Sequence, residues 1–185
     1  TIRFAAPKNI NGIDMPYYSY LVGKRRVYIE DIGMFIITKV IERSDGAKTY
    51  KEVEAKSLEF ELSFRRIINL TGTWKFYDDL DTSKSLMHKI LTYIPGWSLG
   101  TIDTSLRDLY RTFNEKDTTA YTFLMKEMEQ AYQCIFTFDT INKTISAYSL
   151  SNAITETNIY LSYSNLLKNV DIDENSDEIV TALSV

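Results

Sequence analysis

The feature that most limits the fold is a period-two alternation of apolar and polar side chains in the first third. Residues 25–29 and 34–42 alternate in this way, as β-strands do. Ser44-Asp45-Gly46 is typical of a turn, and residues 49–55 alternate again. The pattern predicts a β-hairpin over residues 33–55, with Met34, Ile36, Thr38 and Val40 on one face and Phe35, Ile37, Lys39 and Ile41 on the other. Residues 57–66 fit a helical turn or a strand equally well.

Two helices are predicted in the middle third. The first, 83–94, follows the polar break 78–82, whose Asp side chains can cap it, and ends at Pro95-Gly96. The second, 118–132, has Asp117 as its predicted N-cap and carries an apolar stripe of Tyr121, Leu124, Met125, Met128, Ala131 and Tyr132. The segment between them, 97–113, is predicted to be irregular or extended.

The last third returns to strand patterns. Residues 134–138 and 144–150 predict a second hairpin, and residues 158–163 and 178–185 are further apolar segments. The order along the chain is therefore β-rich, helix, helix, β-rich. This order predicts an α+β fold, in which a sheet domain is interrupted by an inserted α+β part.

Composition excludes several classes of protein. The 185 residues are 44% apolar and 25% charged, which is typical of a globular chain. No apolar run approaches the roughly 20 residues of a membrane-spanning helix, so no membrane anchor is expected. One His, one Cys and seven Gly offer little material for His-based triads, zinc sites or phosphate loops. A net charge of −4 argues against a dedicated nucleic-acid binder. Both ends look like cuts through a longer chain.

Candidate chemical residues each have a simpler structural interpretation. His88 is expected on the polar side of the first helix and Cys134 in an apolar strand face beside Phe136 and Phe138. The carboxylates of Asp78, Asp79 and Asp81 could act as a glycosidase pair, but capping of the helix start explains them better. We therefore predict no catalytic, cofactor-binding or metal-binding residues.

Two further patterns resemble ligand sites, one for calcium and one for nucleic acid, but each has a simpler structural interpretation. Asp171, Asp173, Asn175 and Asp177 follow the spacing of a calcium loop, but Ser176 and Ala182 stand where that loop needs Gly and Glu. The basic runs 24–26 and 65–66 are interpreted as solvated strand ends, although nearby tyrosines could form a stacking platform for nucleic acid.

Five stretches taken together carry a family resemblance. They are residues 33–37, 53–62, 132–145, 165–170 and 176–183. In this order they resemble the N-terminal region of phage and prophage tail-tip proteins, the prophage endopeptidase tail or tail-associated lysin family. That region is similar to the baseplate central hub protein of contractile-tailed phages.

The resemblance implies a structural role at the tail tip of a virion. A barrel-like domain would consist of residues 1–65 and 150–185, with an α+β insertion at 66–149. Three copies would form a ring that closes the tail tube, in contact with the distal tail protein and the tape-measure protein, while DNA passes through the lumen without specific binding. Lytic activity would belong to a C-terminal part beyond these residues, so no catalytic residue is carried over and no cofactor is expected.

Two other functions remain open from the sequence. One is a carbohydrate- or receptor-binding module of a tail tip, which could use Trp74 and Trp97. The other is a hydrolase that uses Asp or Glu, with Asp79 as the residue to test.

Overall fold

The computed structural model of the protein describes residues 1–46 and 48–153. Within them the fold is mixed α+β, mostly strands, with one sheet curled into half of a barrel. The α+β class predicted from the sequence is therefore confirmed. The apolar segments 158–163 and 178–185, and the calcium-like pattern at 171–177, lie outside the described residues. The division into 1–65, 66–149 and 150–185 stays a prediction.

The first half of the described chain forms an antiparallel four-stranded sheet in the order β1-β6-β5-β4. Its strands are β1 (Ile2–Pro7), β4 (Arg26–Ile29), β5 (Gly33–Ser44) and β6 (Thr49–Ser57). After β1 the chain forms a small two-stranded hairpin of β2 (Asn9–Ile10) and β3 (Ile13–Asp14). A 3-10 helix, Leu58–Phe64, follows β6 directly. It occupies the segment for which the sequence favoured neither helix nor strand.

The predicted hairpin over 33–55 is confirmed, but its two faces are partly exchanged. The register between β5 and β6 shifts between Ile37 and Lys39, where a bulge places one extra residue in β5. Beyond Thr38 the side chains therefore change sides. Val40 packs on the core with Phe35 and Ile37, whereas the alternation placed it with Met34 and Ile36.

The second half of the described chain surrounds a larger core. A long antiparallel ribbon pairs β7 (Arg66–Lys75) with β9 (Tyr110–Thr119). A three-stranded sheet has the order β10-β11-β8, from β8 (Ser98–Ile102), β10 (Cys134–Asp139) and β11 (Thr144–Ser149). The β10–β11 hairpin is the second hairpin predicted from the sequence. The segment 97–113 is more regular than predicted, since it contains β8, the start of β9 and a short helix α2 (Thr104–Arg107).

Both predicted helices exist with changed bounds. The first, α1, is only Leu86–Leu91, and its N-cap is Ser85 rather than a carboxylate of the break before it. The second, here called the long helix, occupies residues 120–132 as an α-helical turn Ala120–Thr122, a π-helical segment Phe123–Met128 and a last turn Glu129–Tyr132. Its N-cap is Thr119, not Asp117, which lies inside β9. A further helical turn is at Leu150–Ala153.

The larger core links the two halves. Ile36 of β5 and Leu58 and Leu62 of the 3-10 helix are buried in the same cluster as side chains of β7–β11, α1 and the long helix. A smaller cluster of Phe35, Ile37, Val53 and Ala55 lies on the other face of the four-stranded sheet. No helix among the described residues has the length and apolar character needed to cross a membrane.

Candidate interaction surface

His88 and Cys134, the candidate base and the candidate nucleophile, each pack against neighbouring residues of the fold. His88 is half-buried on α1, where its Nδ1 lies 2.9 Å from Ser85 Oγ and its ring stacks on Tyr77 with centroids 5.3 Å apart. Cys134 is buried at the start of β10 on the apolar face predicted for it, and its Sγ contacts the Met128 carbonyl oxygen at 3.8 Å. Burial, with a contribution from Glu129, raises the pKa of the Cys134 thiol to about 12. A thiol in that state is a poor nucleophile at neutral pH.

The acidic cluster organises a loop. Asp78 Oδ1 accepts the N–H groups of Asp81 and Leu80 at 3.0 Å, and its other oxygen pairs with Lys75 Nζ at 3.0 Å. These contacts, led by the Asp81 N–H, lower the pKa of Asp78 to about 2. Asp81 accepts from the hydroxyl and N–H of Ser83. The carboxylates therefore cap turns before α1 and do not cap α1 itself, which corrects the sequence-based interpretation.

The residues described by the structure contain no grouping of three His, Cys, Asp or Glu side chains that could hold a metal ion.

The two tryptophans do not form a shared platform. Trp97 is buried, its Nε1 donates to Glu61 Oε1 at 2.8 Å, and its ring packs edge-on against Phe138. Trp74 is half-buried beside an open groove of about 440 Å³ that His88 and Lys89 also line. Of the two tryptophans, only Trp74 lies beside an open groove and could offer its ring to a ligand.

Glu61 is the centre of a polar junction that the sequence did not indicate. Its carboxylate accepts Arg26 Nη2 at 2.9 Å and the Trp97 indole, and it also pairs with Lys143 Nζ. Desolvation opposes its charge, but the hydrogen bonds from Lys143, Trp97 and Arg26 prevail and lower the pKa of Glu61. The junction ties β4 and the 3-10 helix to the turn between β10 and β11.

The basic runs divide into paired and unpaired cations. Arg26 pairs with Glu61, and Arg66 pairs with Asp117 across the β7–β9 ribbon, with Nε to Oδ1 at 2.8 Å. Lys24, Arg25 and Arg65 are exposed and have no ion pair with a carboxylate among the described residues. All five cations of the two runs are exposed, so the prediction of solvated strand ends is confirmed, although Arg26 and Arg66 are also ion-paired.

The surface offers two kinds of feature for contact with another protein. Among the described strands, none pairs with the outer edge of β1, and unpaired strand edges can accept a further strand. Large apolar side chains are also exposed in the described chain; they are Ile10, Ile13, Tyr17, Tyr20, Val22, Tyr28, Ile32, Phe64, Ile68, Leu80, Tyr110, Ile141 and Leu150. Of these exposed side chains, the sequence pattern indicates only Leu80, an apolar residue inside the otherwise polar break 78–82.

The fold that these elements form is similar to that of a solved prophage tail protein. A similar solved structure is the prophage tail protein gp18 from Listeria monocytogenes EGD-e, with a TM-score of 0.62 and 17% sequence identity. The similarity covers 89% of this chain and 45% of that chain, so this chain corresponds to about half of that protein. Comparisons with protein-family models and with curated proteins find no match.

Proposed function

We propose that the chain is a structural component of a phage or prophage tail and forms a hub-like domain of the tail tip. The shared fold with a prophage tail protein carries this proposal, and the resemblance of the five sequence stretches to tail-tip proteins supports the hub assignment. In that role three copies form a ring that closes the tail tube and joins the distal tail protein to host-interaction parts.

Location in the virion provides the direct test. An antibody raised against residues 1–185 should label one end of the tail in electron micrographs of particles from the producing strain. A matched antibody against the major tail-tube protein should label the whole tail length. Absence of label from intact and from detergent-opened tails would reject the proposal.

The partner proteins are tested by binding. The chain should retain the distal tail protein and the tape-measure protein from the same gene cluster in a pull-down, and a glycan array should show no specific binding. Specific binding on the glycan array, with no retention of either tail protein, would favour the carbohydrate-binding alternative. Trp74 is the tryptophan that could contact a sugar in that case.

We also propose that the chain acts without catalysis. The support is that Asp78 and Asp81 are engaged by loop N–H groups and Lys75 or Lys84, and that Cys134 is buried. A zymogram on cell-wall substrate should show no cleared band. Clearing that disappears in Asp79→Asn would overturn the proposal.

Passage of DNA is the last part of this proposal. A net charge of −4 would repel phosphate from the ring lumen and let DNA pass without specific binding. Replacement of lumen carboxylates by Lys should slow DNA ejection. Unchanged ejection kinetics would contradict the proposal that an acidic lumen repels DNA.

A further inference from the structure

The two ends of the β7–β9 ribbon carry different exposed groups. The register runs from Arg66 opposite Thr119 at one end to Lys75 opposite Tyr110 at the other. Each strand has ten residues, and at a rise of about 3.3 Å per residue the two ends are roughly 30 Å apart. Groups at the two ends of one copy therefore cannot touch each other.

The end after Lys75 presents a single apolar side chain on an ordered loop. Leu80 is 96% exposed, although its own N–H is bonded to Asp78 Oδ1. The ion pairs of Lys75 with Asp78 and Asp108, at 3.0 and 2.9 Å, anchor this loop to the ribbon. Asp79 beside it is exposed and has no cationic partner among the described residues. We call Leu80 and Asp79 the knob.

The end before Arg66 presents aromatic rings with cations above them. Phe64 is 49% exposed, Lys24 Nζ lies 5.3 Å from its ring centroid, and its ring meets the ring of Phe60 edge-on at 5.9 Å. The exposed Arg65 follows directly. We call Lys24, Phe60, Phe64 and Arg65 the aromatic patch.

A groove beside the aromatic patch is large enough for an aliphatic side chain. It has a volume of about 340 Å³ and is lined by Thr1, Lys56, Ser57, Glu59, Phe60 and Tyr121. The rings of Phe60 and Tyr121 are 6.0 Å apart.

We propose that the knob of one copy docks on the aromatic patch of a second copy. Leu80 would bury its side chain against Phe60 and Phe64, while Asp79 faces Lys24 and Arg65. The charges favour a second copy as the occupant, because an unpaired carboxylate at one end of the ribbon matches two unpaired cations at the other. This inference rests on the proposed ring function, and it names the surfaces that the ring would use.

A contact of this kind joins copies head to tail. Different surfaces meet, so an open assembly keeps one free knob at one end and one free patch at the other until rotation closes a ring. This property separates the proposal from a symmetric dimer, in which the same surface of both copies meets and no free surface remains.

The decisive experiment mixes two defective variants. Leu80→Asp removes the knob and Phe64→Asp removes the patch, and each variant alone should sediment as a single copy of 21.4 kDa. A 1:1 mixture should reach twice that mass and no more, because one intact knob and one intact patch remain. The wild type should exceed two copies. Arg65→Glu provides a milder patch variant in case Phe64→Asp folds poorly.

The control is Ile141→Asp, which changes another exposed apolar residue, 58% exposed, in the turn between β10 and β11. It should assemble like the wild type. Assembly of Leu80→Asp at wild-type strength, or a wild type that stays a single copy at about 1 mM, would overturn the inference. Labelling of tails by the antibody would still support the proposed function, so the two failures are distinguishable.

An engineered cross-link adds a positional test. Asp79→Cys and Arg65→Cys in one chain are too far apart for an internal disulfide, which needs Cα atoms within about 7 Å. Oxidation should therefore give a ladder of covalent multimers, and each single variant should give no product beyond a dimer. The buried Cys134 does not compete. Absence of a ladder from an assembled double variant would contradict the proposed contact.

Discussion

At the scale of single residues, Glu61 shows how one side chain can hold distant segments together. Its carboxylate receives donors from β4, from Trp97 and from the turn before β11. A side chain that is mostly removed from water needs such partners, because an unpaired buried charge is strongly destabilising. No local pattern around Glu61 in the sequence indicates these three donors.

Glu61→Gln should lower the free energy of unfolding at pH 7 by about 1–3 kcal/mol, because Arg26 and Lys143 lose their anion in a partly buried site. The folded-state pKa of Glu61 is lowered from its ordinary value of 4.5. Its stabilising contribution is therefore fully present above that value and is lost as the pH falls through the lower folded-state pKa.

Urea unfolding between pH 2 and pH 7 measures this contribution. The variant should lose less stability on acidification than the wild type does. Glu127→Gln, at an exposed position without an ion pair among the described residues, is the matched control and should behave like the wild type. Equal acid sensitivity of Glu61→Gln and the wild type would refute the assigned role.

Gly33 is the second residue whose role depends on a distant segment. Its φ is +132°, and a Cβ there would lie 2.6 Å from Thr140 Oγ1. That hydroxyl accepts the N–H of Met34 at 3.0 Å. Only glycine fits both the backbone conformation and the close approach.

Gly33→Ala should destabilise the protein by about 1–3 kcal/mol through strain and contact with Thr140. Thermal denaturation followed by circular dichroism would report it as a lower melting temperature. Gly23→Ala is the control, since no atom lies within 4 Å of its added Cβ. A melting temperature of Gly33→Ala equal to that of Gly23→Ala would show that β5 tolerates a side chain at its first residue.

At the scale of elements, the long helix illustrates the limits of pattern reading. Its apolar stripe was predicted correctly, since Leu124, Met128 and Tyr132 are buried. Its start was misplaced, because β9 continues through Asp117 in pairing with β7. The cap is Thr119, whose Oγ1 accepts the N–H of Thr122 at 3.1 Å. Cross-strand pairing decided this boundary, and such pairing is not visible in a local window.

Thr119→Ala should cost about 1 kcal/mol of stability, because the first turn of the long helix loses its side-chain cap. Asp117→Ala removes only an exposed ion pair with Arg66 and should cost less, within about 0–1 kcal/mol. Guanidinium unfolding of both variants measures the two losses of unfolding free energy. A larger loss in Asp117→Ala than in Thr119→Ala would restore the cap predicted from the sequence.

At the scale of the whole described chain, a shared core couples the four-stranded sheet to the β7–β11 region. Leu58 and Leu62 follow β6 directly but are buried among side chains of the second half. Two segments that share one core are expected to unfold together. The Glu61 junction and the Gly33–Thr140 contact also join the four-stranded sheet to the β7–β11 region.

Leu62→Ala should therefore destabilise both segments, by about 2–5 kcal/mol as for other buried leucines. Tryptophan fluorescence reports the second half through Trp74 and Trp97, and amide exchange at Val53 reports the four-stranded sheet. Both probes should shift by the same amount and give coincident transitions. A shift confined to the fluorescence would show that the sheet unfolds independently.

The sequence by itself determined the features that depend on neighbouring residues. These are the two hairpins, the apolar stripe of the long helix, the burial of Cys134 and the α+β class, because periodic exposure to water leaves a local pattern. Tertiary structure alone decided the bulge at Thr38, the N-cap of the long helix and the partners of Glu61. It also placed Leu80 and Phe64 at opposite ends of one ribbon. These features depend on which distant segments meet, and that is set by strand pairing and core packing over the whole chain.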